Sequence, residues 1–219
     1  VEMLLAEGRL YFLEMNTRLQ VEHPVTEEST IIVRDGRSEE LDLLAEMLRI
    51  AAGNPLSFTQ EMVRHRGYAI EARLYAENPD ANFAPTPGSI YYATFPQGAG
   101  VRVDTALHGP TGKISRRFDP MFAKIIASAP TRDEALARLH RALCTTVVLG
   151  ITTNVDFLRR ITLHDSFRRG AYRTDFISRA QESLSPHRRP FALAATIACI
   201  LSYIDHHRLA LEELRSPHI

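Results

Sequence analysis

Strand-like and helix-like periodicities come in blocks along this chain, and their order constrains the fold more than any other feature. Residues 1 to 16 read as two strands: Val1, Met3 and Leu5 alternate, Glu7-Gly8 supplies a turn, and Leu10-Tyr11-Phe12-Leu13 resumes a β-rich run. Asn16 to Glu27 is polar and interrupted at Pro24, which predicts an ordered loop with extended backbone. Ser38 is expected to cap a helix reaching about Ala52, with Glu39 and Glu40 at its positive end and Gly53 and Pro55 stopping it. Gly67 to Glu77 alternates as a strand, with Tyr68, Ile70, Ala72 and Leu74 on one face. After a proline-rich loop, further strands are expected near Ser89–Phe95, Val101–Asp104 and Met121–Ala127.

Thr131 and Glu134 predict a capping box for a helix to about Leu143, whose apolar face is Ala135, Leu136, Leu139, Ala142 and Leu143. Asn154 predicts the cap of a second helix to about His164, and residues 186–215 read as wholly helical. Strands, helix, strands, helices without βαβ alternation predict an α+β architecture with mainly antiparallel sheets.

Composition excludes several classes of function. Twenty-six basic residues balance twenty-six acidic ones, so net charge announces no surface for nucleic acid. The pairs Arg116-Arg117 and Arg168-Arg169 read as solvated faces. Cys144 and Cys199 share no metal-ligand spacing and sit in apolar company, so both read as reduced core thiols. Reduced thiols fit the cytoplasm, or the mitochondrial matrix in a eukaryote. The longest apolar stretch, Phe191 to Ile204, is broken by Thr196, Ser202 and Tyr203 and falls short of the ~18–20 residues of a membrane span. The chain opens at Val1 inside a strand-like pattern with no initiator methionine, and is therefore read as a fragment whose missing part lies upstream.

The segment from Glu14 to Glu27 carries the chemistry. Its even positions are Glu14, Asn16, Arg18, Gln20 and Glu22, which project one way if the chain is extended. A straight row of that length spans about 26 Å, so the chain must curve if all five serve one small ligand. Glu14 and Asn16 supply hard oxygens of the kind that hold Mg²⁺ near phosphates. Glu2 on the partner strand would add a second carboxylate, and like charges facing across a strand pair invite a cation. Glu-x-Asn alone reads more readily as a solvated strand face with a hydrogen-bonded Asn cap. A plain two-residue turn at Glu7-Gly8 would set Glu2 opposite Leu13 and put the carboxylates on opposite faces. Shared metal binding therefore requires a longer loop or a register-correcting bulge.

The whole string Glu14-Met-Asn-Thr-Arg-Leu-Gln-Val-Glu-His-Pro-Val-Thr-Glu27 resembles the signature of biotin carboxylases, ATP-grasp ligases that put bicarbonate onto biotin. The resemblance continues through Leu48–Gly53, Gly67–Glu77, Pro85–Gly88, Gly100–Asp104, Phe118–Lys124 and Thr153-Asn154 to Thr174–Ile177. It implies the end of an ATP-grasp domain over 1–64, a biotin carboxylase C-terminal domain with antiparallel sheet and flanking helices over 65–178, and a helical linker or following domain over 179–219. The resemblance further implies that Glu2, Glu14 and Asn16 hold Mg²⁺ or Mn²⁺ on ATP. Glu22 would be the base that deprotonates bicarbonate, and Arg18 would stabilise carboxyphosphate and the biotin ureido oxygen. Gln20 and the Val21 amide would fix bicarbonate, Arg102 would grip phosphate or biotin, and His23 would orient the loop.

The implied partners are a biotin carboxyl carrier domain and a carboxyltransferase subunit, within an oligomer when complete, with neither nucleic acid nor membrane involved. The Thr-Asn-x-Asp-Phe-Leu and Thr-Asp-Phe-Ile strings resemble acyl-CoA carboxylase α-subunits of the methylcrotonyl or propionyl type most. Between Glu27 and Leu48 the chain departs from the family: Ile31–Ser38 intrudes and no Thr-Gly precedes Asp42-Leu43. Two other readings stand beside this one, a different ATP-grasp ligase related to carbamoyl-phosphate synthetase and a truncated, non-catalytic carboxylase-like module. Gln20-Val21-Glu22-His23 argues against the former; an ATP-grasp half in frame before Val1 would argue against the latter.

Overall fold

The computed structural model describes residues 1–185; the helix expected over 186–215, and Cys199 with it, lie outside the described residues. The architecture is α+β, and every paired strand is antiparallel. Strands β1 (Glu2–Ala6) and β2 (Arg9–Glu14) form a hairpin. Its two-residue turn places Glu7 at φ 50° and Gly8 at φ 74°, the double left-handed geometry whose twist suits a tight hairpin. Pairing runs from Ala6 opposite Arg9 to Met3 opposite Phe12, then shifts so that Glu2 faces Glu14. Leu13 is the extra residue. The tight turn therefore forms, and the bulge at Leu13 brings both carboxylates to one face.

The next segment corrects two expectations. Backbone 15–22 is non-helical, but α1 (His23–Glu28) replaces the extended loop expected to continue to Glu27. Pro24 does not interrupt this helix. It lies in the first turn, where a missing N–H costs nothing and the fixed φ is already helical. Ser38 caps no helix: β3 (Thr30–Arg34) and β4 (Arg37–Glu40) form a second hairpin around Asp35-Gly36, at φ 49° and 76°. Asp-Gly between two β-rich runs is the corresponding sequence signal. The helix that does follow, α2 (Leu43–Ala51), is capped by Asp42, whose carboxylate accepts from the Ala45 amide at 2.8 Å. β5 (Val63–His65) pairs with the other edge of β3.

The core lies in the second half. β6 (Tyr68–Tyr75) is followed by the short pair β7 (Glu77–Asn78) and β8 (Ala84–Pro85), then by β9 (Gly88–Ile90) and β10 (Tyr92–Thr94). β11 (Val101–Thr105), β12 (Gly112–Ile114) and β13 (Met121–Ala129) complete this run, and β12 pairs with β9. The central sheet has the order β11-β13-β6. Ala72, Leu74, Ile125 and Ala127 cover one face and pack with Leu139, Ala142 and Leu143 of α3 (Arg132–Thr145). Thr131 and Glu134 form the expected capping box, and the five residues assigned to the apolar face of α3 are all buried.

β14 (Val147–Leu149) pairs with β10, and α4 (Val155–Leu163), α5 (Asp165–Arg168) and α6 (Phe176–Leu184) complete the described chain. Asn154 sits at the N-cap of α4 but makes no side-chain cap bond. Its buried carboxamide is spent on β6, accepting from the Tyr75 amide at 3.0 Å and donating to the Arg73 carbonyl at 3.1 Å. Cys144 is exposed, not a core thiol, because it lies one helical step past Leu143 on the solvent side of α3. No helix among the described residues is long and apolar enough to cross a membrane.

Candidate active site

At the open end of the first hairpin, the bulge sets Glu2 across from Glu14 and the chain curls back over them. Glu2 Oε1 accepts from Asn16 Nδ2 at 2.8 Å and from Gln20 Nε2 at 2.8 Å, while Asn16 Nδ2 also reaches Glu14 Oε1 at 3.1 Å. Two carboxylates are thus bridged by an amide N–H where a cation would satisfy them equally. Which end of the Asn16 amide faces the acids is set by this hydrogen bonding. A half-turn of the amide would present Oδ1, completing a hard-oxygen donor set for Mg²⁺ or Mn²⁺. Among the described residues no cluster of three or more His, Cys, Asp or Glu could hold a metal. A cation here would therefore need Asn16 and the oxygens of its substrate as well.

Gln20 reaches this carboxylate end, so the extended row is broken. Arg18 is exposed, donates to its neighbour's carbonyl at Leu19 (3.1 Å) and makes no salt bridge among the described residues. His23 Nδ1 lies 2.8 Å from the Gln20 carbonyl, a contact that fixes the turn into α1. Glu22, just before α1, pairs with Arg73 of β6 at 2.8 Å.

Arg73 stands on the polar face of the central sheet, and this face is where the site segment docks. Cross-strand pairing places Asp104, Lys124 and Arg73 in one row, and Arg102, Ile126 and Glu71 in the next. Side chains paired in this way share a face. The acids of α1 and the residue before it meet this face point by point. Glu22 takes Arg73, Glu27 takes Arg102 at 2.6 Å, and Glu28 accepts from Ser128 at 2.9 Å. Lys124 Nζ donates to the Val21 carbonyl at 2.8 Å and lies 3.3 Å from Asp104.

Arg102 is held on two sides, by Asp104 through Nε and Nη2 (2.9 and 3.1 Å) and by Glu27 through Nη1. Burial works against its charge, but the hydrogen bonds and charges of Asp104 and Glu27 win and raise its pKa. Asp104 is desolvated too, yet Arg102 and Lys124 hold its carboxyl below the usual carboxylate range. Arg73 behaves like Arg102: burial opposes its charge, and Glu71 together with Glu22 more than compensates.

Beside Glu22 and Arg73 a cavity of ≈ 380 Å³ opens, with Tyr68, Glu71, Arg132 and Tyr172 in its wall. Glu71 gives one oxygen to Arg73 at 2.9 Å, while its buried Oε2 has no hydrogen-bond partner.

The structure therefore brings Glu2, Glu14, Asn16 and Gln20 together at one end of the segment and Val21 and Glu22 onto the sheet at the other. Arg102 shares that sheet face but contacts Glu27 rather than the residues from Arg18 to Glu22. Arg73, Glu27 and Lys124 escaped the sequence reading. The alternation of Gly67 to Glu77 did carry a signal for Arg73, since Glu71 and Arg73 fall opposite Ile70, Ala72 and Leu74. Lys124 is marked only as the one charge in an otherwise largely apolar strand, which names no partner for it.

Residues 71–179 match the family described as biotin carboxylase C-terminal domain, and residues 1–59 match the carbamoyl-phosphate synthase L chain, ATP binding domain. The chain is 46% identical to biotin carboxylase 1 of Bacillus subtilis over 171 residues, 78% of this chain and 36% of the relative. It is 45% identical to the biotin carboxylase of Halalkalibacterium halodurans over 172 residues, again 78% of this chain and 36% of that protein. Among solved structures, the biotin carboxylase domain of a thermophilic 2-oxoglutarate carboxylase bound to bicarbonate superposes with a TM-score of 0.76 at 37% identity, covering 84% of this chain and 40% of that one. The chain thus spans little more than a third of the curated relatives it matches. With an ATP-binding segment running directly into a biotin carboxylase C-terminal domain, the chain belongs to the biotin carboxylase family.

Proposed function

We propose that this chain supplies the bicarbonate-facing part of a biotin carboxylase, in which ATP, bicarbonate and protein-linked biotin give carboxybiotin, ADP and phosphate. The observation that carries the reading is the bulge at Leu13, which turns Glu2 and Glu14 to one face beside Asn16. Glu2, Glu14 and Asn16 would hold Mg²⁺ or Mn²⁺, which when bound neutralises charge on the ATP phosphates. Glu22 would take the proton of bicarbonate, with the Arg73 contact keeping its carboxylate oriented. Arg18, free of any ion pair among the described residues, would face the forming carboxyphosphate and the ureido oxygen of biotin. Gln20 and the Val21 amide would fix bicarbonate. Arg102 retains two of its five N–H donors after Asp104 and Glu27 are served, and these would grip phosphate or biotin.

The reading carries a domain division with it: the end of an ATP-grasp domain at 1–64, the C-terminal domain at 65–178 and a following segment at 179–219. The carrier of biotin, a carboxyltransferase that passes the carboxyl group to an acyl-CoA of the methylcrotonyl, propionyl or acetyl type, and assembly into an oligomer are part of the same proposal. The 219-residue chain by itself is expected to show no biotin-dependent ATPase activity. Joined in frame to the amino-terminal half of a related biotin carboxylase, it is expected to turn over, and Glu22→Gln should abolish that turnover. Arg18→Lys keeps the charge and loses the planar fork, so it should lower carboxylation of free biotin by at least ~100-fold with little change in the KM for ATP. Steady-state kinetics with ATP and bicarbonate varied separately test both variants. A near-normal rate, or a loss confined to the ATP KM, would remove Arg18 from the chemical step.

A further inference from the structure

Lys124 is a buried cation for which the chemistry above has no use. It sits in the middle of β13, flanked in sequence by Ala123 and Ile125 and only 8% exposed. A buried ammonium is retained only when paired and hydrogen-bonded. Lys124 has two partners: Asp104 on the adjacent strand, 3.3 Å away, and the main-chain carbonyl of Val21, 2.8 Å away. Asp104 does not depend on Lys124, because Arg102 grips both of its oxygens. The Val21 carbonyl belongs to the turn that joins the Arg18–Gln20 loop to α1. Among the described residues its other main-chain bonds are all local and tie the turn only to itself: the His23 amide to the Gln20 carbonyl at 3.3 Å, His23 Nδ1 to the same carbonyl at 2.8 Å, and the Val25 amide to the Glu22 carbonyl at 3.0 Å.

We propose that Lys124 is a positioning residue, an ammonium presented by the rigid central sheet that holds the Val21 carbonyl and thereby sets where Val21 and Glu22 stand over the sheet. The catalytic consequence rests on the function proposed above. One strong bond to the backbone fixes the peptide plane on which Glu22 is carried, and its reach is limited by a strand buried on both faces. Asp104, clamped by Arg102, in turn orients the ammonium. The sheet thus acts on the site through two contacts of different kinds, Arg73 on the Glu22 side chain and Lys124 on its backbone.

The test uses two proteins. In the 219-residue chain, Lys124→Met removes the bond with little change of length. Amide hydrogen exchange at His23 and Val25 is expected to quicken at least ~10-fold, the effect of losing one charge-assisted hydrogen bond, while exchange at Leu139 and Leu143 of α3 stays as it was. Lys124→Arg should restore part of the protection. If Lys124→Met does not fold, Lys124→Leu, which also has no donor, is read by the same criterion. Unchanged exchange at His23 and Val25, or an equal rise across α3, would overturn the inference. In the enzyme joined to an amino-terminal half, Lys124→Met is expected to raise the KM for bicarbonate about 10-fold more than the KM for ATP. Equal changes in the two would overturn the positioning role. Glu22→Gln in the same enzyme is the separate check on the function itself, since full turnover by that variant would overturn the bicarbonate reading and leave the exchange result standing.

Discussion

Two strand systems in this chain treat apolar side chains in opposite ways. Along β13 every residue from Phe122 to Ala127 is buried, with α3 against one face and α1 against the other. Along the β1–β2 hairpin Met3, Leu4, Leu5, Leu10, Phe12 and Leu13 are all exposed, although the sequence there is no less apolar. α2 belongs with the hairpin, since Leu44, Leu48 and Ile50 are exposed and none of its residues is buried. A sheet with one buried face has its register fixed by the core, because slipping by one residue would turn that face outward. Among the described residues no core covers the hairpin. Its register is specified by the Glu7-Gly8 turn, the Leu13 bulge and the polar knot of Glu2, Glu14, Asn16 and Gln20. The same few interactions hold the candidate metal ligands in place, so in this half of the chain the site and the fold rest on the same bonds.

Two phenylalanines break the comparison most sharply. Phe122 is 1% exposed and Phe12 is 64% exposed. Phe122→Ala is expected to cost about 3–5 kcal/mol through lost burial and a residual cavity. Phe12→Ala should stay within about 0.5 kcal/mol, as for other exposed substitutions. Urea unfolding of the two variants measures both values, and comparable losses would mean that the hairpin is as well covered as the central sheet.

Legibility in the sequence divides along the same line. The α+β class, β6, β11, β13 and α3 with its capping box and apolar face could be read because burial writes a period into the residues. The carboxylate pair was legible through geometry: parity alone required a bulge or a longer turn, and Leu13 is that bulge. The β3–β4 hairpin and α1 were missed, because Glu39 and Glu40 imitate a helix start and Pro24 imitates a break. The pairing of Glu22 with Arg73 and of Lys124 with the Val21 carbonyl was beyond reach, since partners 51 and 103 residues apart leave no local pattern.

A smaller effect is expected at Asn154, where a cap position has been put to another use. Its carboxamide bridges a donor and an acceptor of β6, so Asn154→Ala leaves the Tyr75 amide and the Arg73 carbonyl without that partner. A loss of about 1–3 kcal/mol is expected. Asn154→Ser separates the two roles. Serine is as good a cap as asparagine but cannot span both groups of the strand, so it should restore little. Recovery of full stability by Asn154→Ser would show that the helix end, rather than the bridge to β6, is what matters.

The smallest effect concerns His140, on the covered side of the comparison, between α3 and α4. Its Nδ1 lies 2.8 Å from Thr162 Oγ1, and that hydroxyl spends its own hydrogen on the Arg159 carbonyl at 2.7 Å. The hydroxyl therefore accepts from the ring, Nδ1 carries the proton, and Nε2 is left as an acceptor facing the Cys144 thiol at 3.5 Å. Burial, and after it the charge of Arg159, lower the pKa of His140 below its usual value. With a depressed pKa the unfolded chain takes up the proton first as pH falls, so stability rises with pH across this window. The contribution is fully present above about pH 6.5, the ordinary histidine value, and is lost as pH falls from there through the lower folded value. Because the ring is partly exposed, the change in melting temperature between pH 7.5 and 5.5 should be no more than a few degrees. His140→Gln, which keeps a donor for Thr162 and cannot be protonated, should reduce that decline without changing stability at pH 7.5. An acid decline as steep in His140→Gln as in the parent chain would place the pH sensitivity elsewhere.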